Sequence, residues 1–353
     1  MNYTRMYFSK VLKHILIWIA AFYLFTFLRE YGQNVEEGLA RQMTDLEYFL
    51  FPLLIGSIAG VLFGSYAFLI SRFLAQKFSF GRSVIITSVG YVIVILSLIF
   101  IGFNAFTSLF DLDMDSQDLQ RFFSQGNHRV LIVYCFIVGF LIEFIQEVDR
   151  KFGPGNLWKM LRGKYYRPIE EERVLMFLDM RSSTTIAEKL GHIRYSLLVQ
   201  DCFKDISVVA QYKGQVYQYV GDEAVLTWEG DSGFHNNNCI KAYFAFCDQI
   251  HSRKDYYMLN YGLIPEFKAG INAGVITTAE VGDIKREIAF HGDTINTAAR
   301  IQAMCNDLGH DFLASRSVIN RLSESVDLMV DSVGELSLKG KKEQVEILAI
   351  NRR

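Results

Sequence analysis

The hydrophobic and polar positions divide this chain in two. Residues 11–145 carry four long apolar runs, roughly Val11–Leu28, Phe51–Leu74, Val84–Phe106 and Val130–Ile145. The middle two reach the ~20 residues that a helix needs to cross a hydrocarbon core, and the outer two reach it with flanking residues. Few charges interrupt these runs, which predicts an all-α membrane unit of four transmembrane helices over residues 1–148. The loops set its orientation. Arg5, Lys10 and Lys13 precede the first run, Arg72, Lys77 and Arg82 fill the second connection, and Arg150, Lys151, Lys159, Arg162, Lys164 and Arg167 follow the fourth. The other two connections are acidic, with Glu30, Glu36, Glu37, Asp45 and Glu47 in one and Asp111, Asp113, Asp115 and Asp118 in the other. The positive-inside rule then predicts a multi-pass protein of the cell membrane with both termini cytoplasmic.

Polar residues inside the runs are scarce. His14 and Glu143 fall near the cytoplasmic ends of their runs, where side chains reach the interface. No chain of ionisable groups crosses the middle, which argues against an ion pathway. The expected roles are an anchor, a dimeriser or a sensor, with lipid as one partner and an unidentified ligand of the helices as another. "FLREYGQ" follows the first run without a small-residue cleavage site, so that run is read as a retained helix. The outer loop "DLDMDSQD" has Ser116 where a calcium loop needs glycine and Phe122 where it needs glutamate, and reads as a solvated loop.

Residues 149–172 change character and read as a connector. Gly153-Pro154-Gly155 should stop the fourth helix. Leu157, Trp158, Met160 and Leu161 with Lys159 and Arg162 suggest a short amphipathic helix, lying on the membrane surface or packed as a transducer. From residue 173 to 353 the pattern is mixed. "RVLMFLDM" reads as a buried strand, "TTIAEKLG" and "YSLLVQDCFKDISVVAQYKG" as helices, and "QVYQYVGDEAVLTWEG" as a hairpin turning at Gly221-Asp222. A helix from the "NNN" segment, a second hairpin in "PEFKAGINAGVITTAEVGD", a helix in "DTINTAARIQAMCNDLG" capped near Asp293 or Thr294, and a last hairpin in "GELSLKGKKEQVEILAI" complete the order. This implies an antiparallel-rich α+β sandwich with helices on one face.

Composition fits a membrane half joined to a soluble half: 51% of the 353 residues are hydrophobic and 14% aromatic. A net charge of −2 and the lack of a basic tract give nucleic-acid binding no support. The five cysteines form no CxxC pair and read as reduced, packed thiols.

The chemistry lies in the soluble half. Asp179 ends a buried strand and Asp222 tips a hairpin of the same expected sheet. Side by side, two carboxylates repel and raise each other's pKa. A divalent cation resolves that, and hard oxygen ligands favour Mg²⁺ or Mn²⁺ over Zn²⁺. Asn296 and Arg300 share a helix face, where an amide and a guanidinium suit a ribose and a phosphate. Lys339 and Lys341 near the last turn suit a terminal phosphate.

The motifs "FLDMRSST", "YVGDEAV", "GINAGVITTAEVG", "HGDTINTAARI" and "LKGKKE", in this order over about residues 170–350, resemble a class III nucleotidyl cyclase catalytic domain. The resemblance implies a ferredoxin-like βαββαβ-type core. It also implies a two-metal conversion of ATP to 3′,5′-cyclic AMP and pyrophosphate. Asp179, Met180 and Asp222 become the metal set for two Mg²⁺ or Mn²⁺ ions. Asn296 becomes the ribose-orienting asparagine, Arg300 the transition-state arginine and Lys339 the triphosphate lysine. A head-to-tail homodimer with two equivalent sites follows, because each site of this family takes residues from both chains. The base-reading positions hold Gln218 and Ala289, which match neither the adenine nor the guanine pattern. The absence of a glutamate for guanine's adjacent donors favours ATP. The alternatives are a guanylate cyclase, a diguanylate cyclase, or a non-catalytic receptor carrying a cyclase-like module.

Overall fold

The computed structural model describes residues 3–31, 45–73, 79–109, 128–153, 155–323, 328–336 and 344–353. The chain forms two compact units, Met1–Lys151 and Phe152–Arg353.

The first unit consists of helices α1 (Tyr3–Tyr31), α2 (Asp45–Phe73), α3 (Phe80–Leu109) and α4 (His128–Phe152). Three of them are long and apolar enough to cross a membrane, over Tyr7–Leu28, Tyr48–Ile70 and Val130–Lys151. In α3 the corresponding stretch is Gly81–Ser97, which is shorter. Among the described residues, three of the four predicted spans are thus long and apolar enough to cross, and α3 falls short of that length. Leu12, Leu54, Ile93 and Ile137 face outward, as lipid-facing residues do, while Trp18, Phe63, Tyr91 and Cys135 are fully buried. Gly56 and Gly60 let α2 approach α1 closely. A Cβ on Gly56 would lie 2.6 Å from the Ile19 Cα, the close small-residue packing that apolar solvents favour. The Tyr7 hydroxyl meets Ser65 Oγ at 2.8 Å and the Tyr23 hydroxyl donates to the Phe49 carbonyl at 2.7 Å. The start of α1 thus lies beside the end of α2. The Tyr134 hydroxyl donates to the Ala21 carbonyl at 2.6 Å, bringing the start of α4 to the far part of α1.

His14 and Glu143 do not reach an interface as expected. They are 1% and 5% exposed, inside the helical unit. Burial is sustained because the Tyr91 hydroxyl of α3 lies between them.

The second unit opens with α5 (Asn156–Leu161), where the connector was expected to be helical. Its Lys159 pairs with Glu229, while Trp158 and Leu161 stay exposed. An eight-stranded sheet follows: β1 (Ile169–Met180), β2 (Gln215–Val220), β3 (Glu223–Glu229), β4 (Phe267–Val281), β5 (Glu287–His291), β6 (Phe312–Ser315), β7 (Leu328–Leu336) and β8 (Val345–Arg352). The order is β2-β3-β1-β4-β6-β8-β7, with β5 paired to β4. All neighbours are antiparallel except β4 and β6. β1 begins before Arg173 because the charged "IEEE" segment still pairs with β4. Glu171 accepts from Arg173 and Thr278 there.

Strand alternation sends successive residues to opposite faces. Val174, Met176, Leu178 and Met180 join one cluster with residues of α7 (His192–Asp205) and α8 (Asn238–Ser252). Leu175 and Phe177 join another with α10 (Asp293–Ala303). Helices therefore cover both faces, not one, since β1 is apolar on both sides and cannot leave either to water. α6 (Ser183–Leu190) precedes α7, and α9 (Lys254–Tyr261), α11 (Cys305–Leu308) and α12 (Arg316–Ile319) complete the helices. α7 stops at Asp205 and tightens into a 3₁₀ turn through Tyr212, short of the predicted end. Its buried carboxylates, Asp201 and Asp205, accept hydroxyl protons from Tyr256, Tyr261 and Tyr257 of α9. The α10 cap falls at Gly292, beside Asp293 as expected, and Thr294 Oγ1 donates to the Val275 carbonyl. All five cysteines are free.

α10 rests on β4 at Gly270, where a Cβ would overlap the Gln302 backbone nitrogen. Backbone cannot yield as a flexible side chain does. Gly270→Ala is expected to cost about 1–3 kcal/mol by overpacking, read as a melting temperature lower by roughly 2–12 °C for a ~200-residue unit. Unchanged melting would show that the helix lifts freely.

Candidate active site

Two strand pairings bring charge to the end of β1. Asp179 faces Glu223 across β3 and Lys268 across β4 in direct register. Directly opposed residues share a sheet face, with Cβ atoms about 4.5–5.5 Å apart. Lys268, 8% exposed, places its Nζ 3.3 Å from Asp179 Oδ2. Gln302 of α10 donates to the same oxygen at 3.0 Å. Asp222 sits in the two-residue turn between β2 and β3, after Gly221 at φ +63°. Its Oδ2 is buried and has no partner.

The register sets Asp222, next to Glu223, beside Asp179. Burial, with the Asp222 carboxylate, raises the Asp179 pKa against the pull of Lys268. Burial, then Asp179 and Asp222, push Glu223 up to about 7. Burial and Asp222 push the Tyr195 hydroxyl of α7 up to about 12. The sequence expectation that Asp179 and Asp222 converge at one sheet edge is met. Met180 belongs to the opposite face, its side chain 1% exposed in the core. The Arg181 N–H bonds the Glu266 carbonyl on the β4 side, so strand alternation turns the Met180 carbonyl toward the β2–β3 turn.

These residues fit a divalent cation. A buried carboxylate oxygen without a donor, beside a second carboxylate whose ionisation it opposes, is relieved by positive charge. No group of three or more His, Cys, Asp or Glu among the described residues forms a closed cage. An open pair suits Mg²⁺ or Mn²⁺, which keep positions for water and phosphate oxygens.

The second set lies on the outer flank of α10. Asn296 is exposed and Arg300 half-buried, with Nη1 buried and unpartnered. At about 100° per residue, Gln302 points nearly opposite to Arg300. The helix thus turns Gln302 to Asp179 and carries Asn296 and Arg300 away from it.

The third set centres on an aromatic stack. β2 bulges between Val216 and Gln218. The Tyr217 ring stacks on Phe290 of β5 at 4.0 Å and 8°, and its hydroxyl accepts the Phe290 N–H at 3.1 Å. The exposed Gln218 and half-buried Ala289 each adjoin one ring of that stack, so the two positions expected to read the base share one neighbourhood. Lys339 and Lys341 lie outside the described residues. Sequence reasoning missed Lys268, Gln302 and the Tyr217–Phe290 stack. The available signal for Lys268 was a lysine placed between Phe267 and Ala269 in an apolar strand.

Residues 166–351 match the family described as the adenylate and guanylate cyclase catalytic domain. The chain is 32% identical over 221 residues to Adenylate cyclase 2 of Rhizobium meliloti (strain 1021), covering 62% of this chain and 61% of that protein. It is 26% identical over 186 residues to Adenylate cyclase 1 of the same organism, covering 51% and 27%. The chain thus spans less than two thirds of either relative's length. A bacterial light-regulated adenylyl cyclase superposes with a TM-score of 0.53 at 16% identity, over 62% of this chain and 64% of that one, a likeness of fold.

Proposed function

This chain belongs to the adenylate and guanylate cyclase catalytic-domain family, and from that premise we propose that it converts ATP to 3′,5′-cyclic AMP and pyrophosphate. The observation that carries the reading is the convergence of Asp179 with the unpartnered Oδ2 of Asp222 at one sheet edge. Asp179, Asp222 and the Met180 carbonyl would hold two Mg²⁺ or Mn²⁺ ions, which supply Lewis-acid stabilisation of the phosphates and of the attacking oxygen. The ribose 3′-hydroxyl gives its proton to solvent water as its oxygen bonds to the α-phosphorus, the bond to the bridging oxygen breaks, and pyrophosphate leaves with that electron pair. Asn296 orients the ribose. Arg300 stabilises charge developing on the phosphoryl oxygens, a preorganised contribution that requires no reorganisation during reaction. Lys268 neutralises Asp179 before substrate arrives, and Lys339 would meet the triphosphate.

Because α10 turns Arg300 away from its own Asp179, the site is completed by a second copy of this chain. Its Asn296, Arg300, Gln218 and Ala289 face the first copy's aspartates. A homodimer then holds two equivalent sites.

Gln218 offers both an amide donor and an acceptor, and Ala289 leaves only backbone. Neither supplies the carboxylate that guanine's adjacent donors need, which favours ATP. GTP is the second reading. The intact protein, given each nucleotide with Mn²⁺, is expected to release cyclic AMP at least about tenfold faster than cyclic GMP, equivalent to ~1.4 kcal/mol of discrimination. The reverse ratio would reassign the base. No product from either would return the chain to a receptor role.

We also assign α3 as a fourth pass. Its first part meets His14 near the start of α1, whereas α4 starts beside Ala21, farther along α1. The chain must cross the unit between them, and residues 83–110 contain no charge. Both termini then lie on the cytoplasmic side of a cell membrane.

A further inference from the structure

Three ionisable side chains from three helices meet inside the first unit, and nothing in the cyclase chemistry uses them. His14 of α1, Tyr91 of α3 and Glu143 of α4 are 1%, 0% and 5% exposed. His14 Nδ1 lies 2.9 Å from the Lys10 carbonyl, the Tyr91 hydroxyl donates to Glu143 Oε1 at 2.6 Å, and the same hydroxyl lies 3.5 Å from His14 Nε2. The place is built for them. A Cβ at Gly139 would strike the Tyr91 ring, and one at Gly64 would lie 3.1 Å from His14 Cβ. One turn on from His14, the fully buried Trp18 keeps an Nε1–H with no partner, its ring edge-on to Tyr91 at 6.1 Å. Ionisable groups at such depth are costly and mark function more often than packing.

Counting protons shows what the cluster lacks. A carbonyl only accepts, so His14 Nδ1 carries a hydrogen. The single Tyr91 proton goes to Glu143. A neutral His14 then presents a bare Nε2 to the tyrosine oxygen, acceptor against acceptor, and 3.5 Å is longer than a good hydrogen bond. One added proton on Nε2 converts that contact to N–H···O. The hydrogen bonds then run in one direction, from the His14 imidazolium through the Tyr91 hydroxyl to the Glu143 carboxyl group. The other charged and titratable groups facing the cluster are Lys10 on α1, Tyr66 on α2, and Glu147 with Arg150 on α4. They are engaged elsewhere: Lys10 donates to the Ala67 carbonyl, Tyr66 to the Ile86 carbonyl, and Glu147 pairs with Arg150 at 2.7 Å.

We propose that His14, Tyr91 and Glu143 form a proton-binding site within the membrane unit, and that proton uptake at His14 Nε2 draws α1, α3 and α4 together. α4 is the helix through which the chain passes into the catalytic unit, so the protonated clasp alters cyclase output. That last step rests on the cyclase reading, whereas the proton chemistry does not.

The test uses the full chain in lipid nanodiscs, with hydrogen–deuterium exchange followed at pH 5.5 and 7.5 and corrected for intrinsic exchange. Wild type is expected to exchange about tenfold more slowly in α1 and α4 at the lower pH, a shift of ~1.4 kcal/mol in local opening. Tyr91→Phe keeps the ring packing and removes the bridge, and is expected to erase the difference. His14→Gln, which cannot take the proton, is expected to do the same and decides the matter if Tyr91→Phe misfolds. No pH difference in wild type, or one that survives either substitution, overturns the site. Cyclic-nucleotide release is measured in the same samples. A clasp seen by exchange with no product from ATP or GTP in any sample sinks the cyclase reading alone. Product whose pH profile is identical in wild type and Tyr91→Phe sinks the coupling.

Discussion

Asp222→Ala is expected to abolish turnover while making the metal-free protein more stable. The loss in kcat should be at least about 10³-fold, because the charge stabilisation a bound metal supplies is worth several kcal/mol and each ~1.4 kcal/mol is tenfold in rate. Stability should move the other way for a separate reason. Asp222 carries a buried oxygen without a partner, and its carboxylate opposes the ionisation of Asp179 and Glu223. Both neighbours have pKa values raised by folding, so the folded state binds more protons than the unfolded chain above the ordinary carboxylate range. Stability therefore falls as pH rises, over the interval ending near 7 for Glu223. Removing Asp222 relieves part of that fall, and the variant should melt higher than wild type at pH 8 without metal. Mn²⁺ should then raise the melting temperature of wild type and not of the variant, since a ligand at about 100 times its Kd stabilises by ~2.7 kcal/mol. Thermal melts with and without Mn²⁺, beside a product assay, separate these effects. Full activity in the variant, or an equal Mn²⁺ response in both proteins, would remove Asp222 from the site.

What the sequence made legible was local. The Gly221-Asp222 turn, the strand ending at Asp179 and the Asn296–Arg300 helix face each depend on residues a few positions apart, and each was found where expected. What it hid was register and azimuth. Lys268 and Gln302 reach Asp179 only because β4 pairs with β1 in one register and α10 docks at Gly270, and no short-range pattern encodes either. Hydropathy placed His14 and Glu143 along their runs but not their rotation about α1 and α4, so two buried residues that face each other through Tyr91 read as unrelated interface groups. The both-sided burial of β1 was present in its unbroken "VLMFL" run, but continuous apolarity gives no count of the helices that cover it.

Arg300→Ala is expected to slow the reaction by about 10² or more with little change in KM, the signature of a group that acts only on the transition state. Arg300 Nη1 is buried without a partner in the free chain, so truncation forfeits no hydrogen bond there and the fold should hold. The sharper outcome comes from mixing. If Arg300 serves the partner's aspartates, a chain carrying Asp222→Ala and a chain carrying Arg300→Ala fail in different halves of the site. In a dimer of one with the other, the intact aspartates of the second meet the intact arginine of the first. One of the two sites is then native. Random pairing of equal amounts makes half the dimers mixed, so co-expression should restore about a quarter of wild-type activity through a closed two-fold interface. A site built within a single chain gives no such gain, because each chain would remain broken whatever its neighbour. Activity of the mixture no greater than the average of the two variants would therefore place Arg300 in the same site as its own Asp179, against the helix geometry that turns Gln302 to that aspartate and Arg300 away.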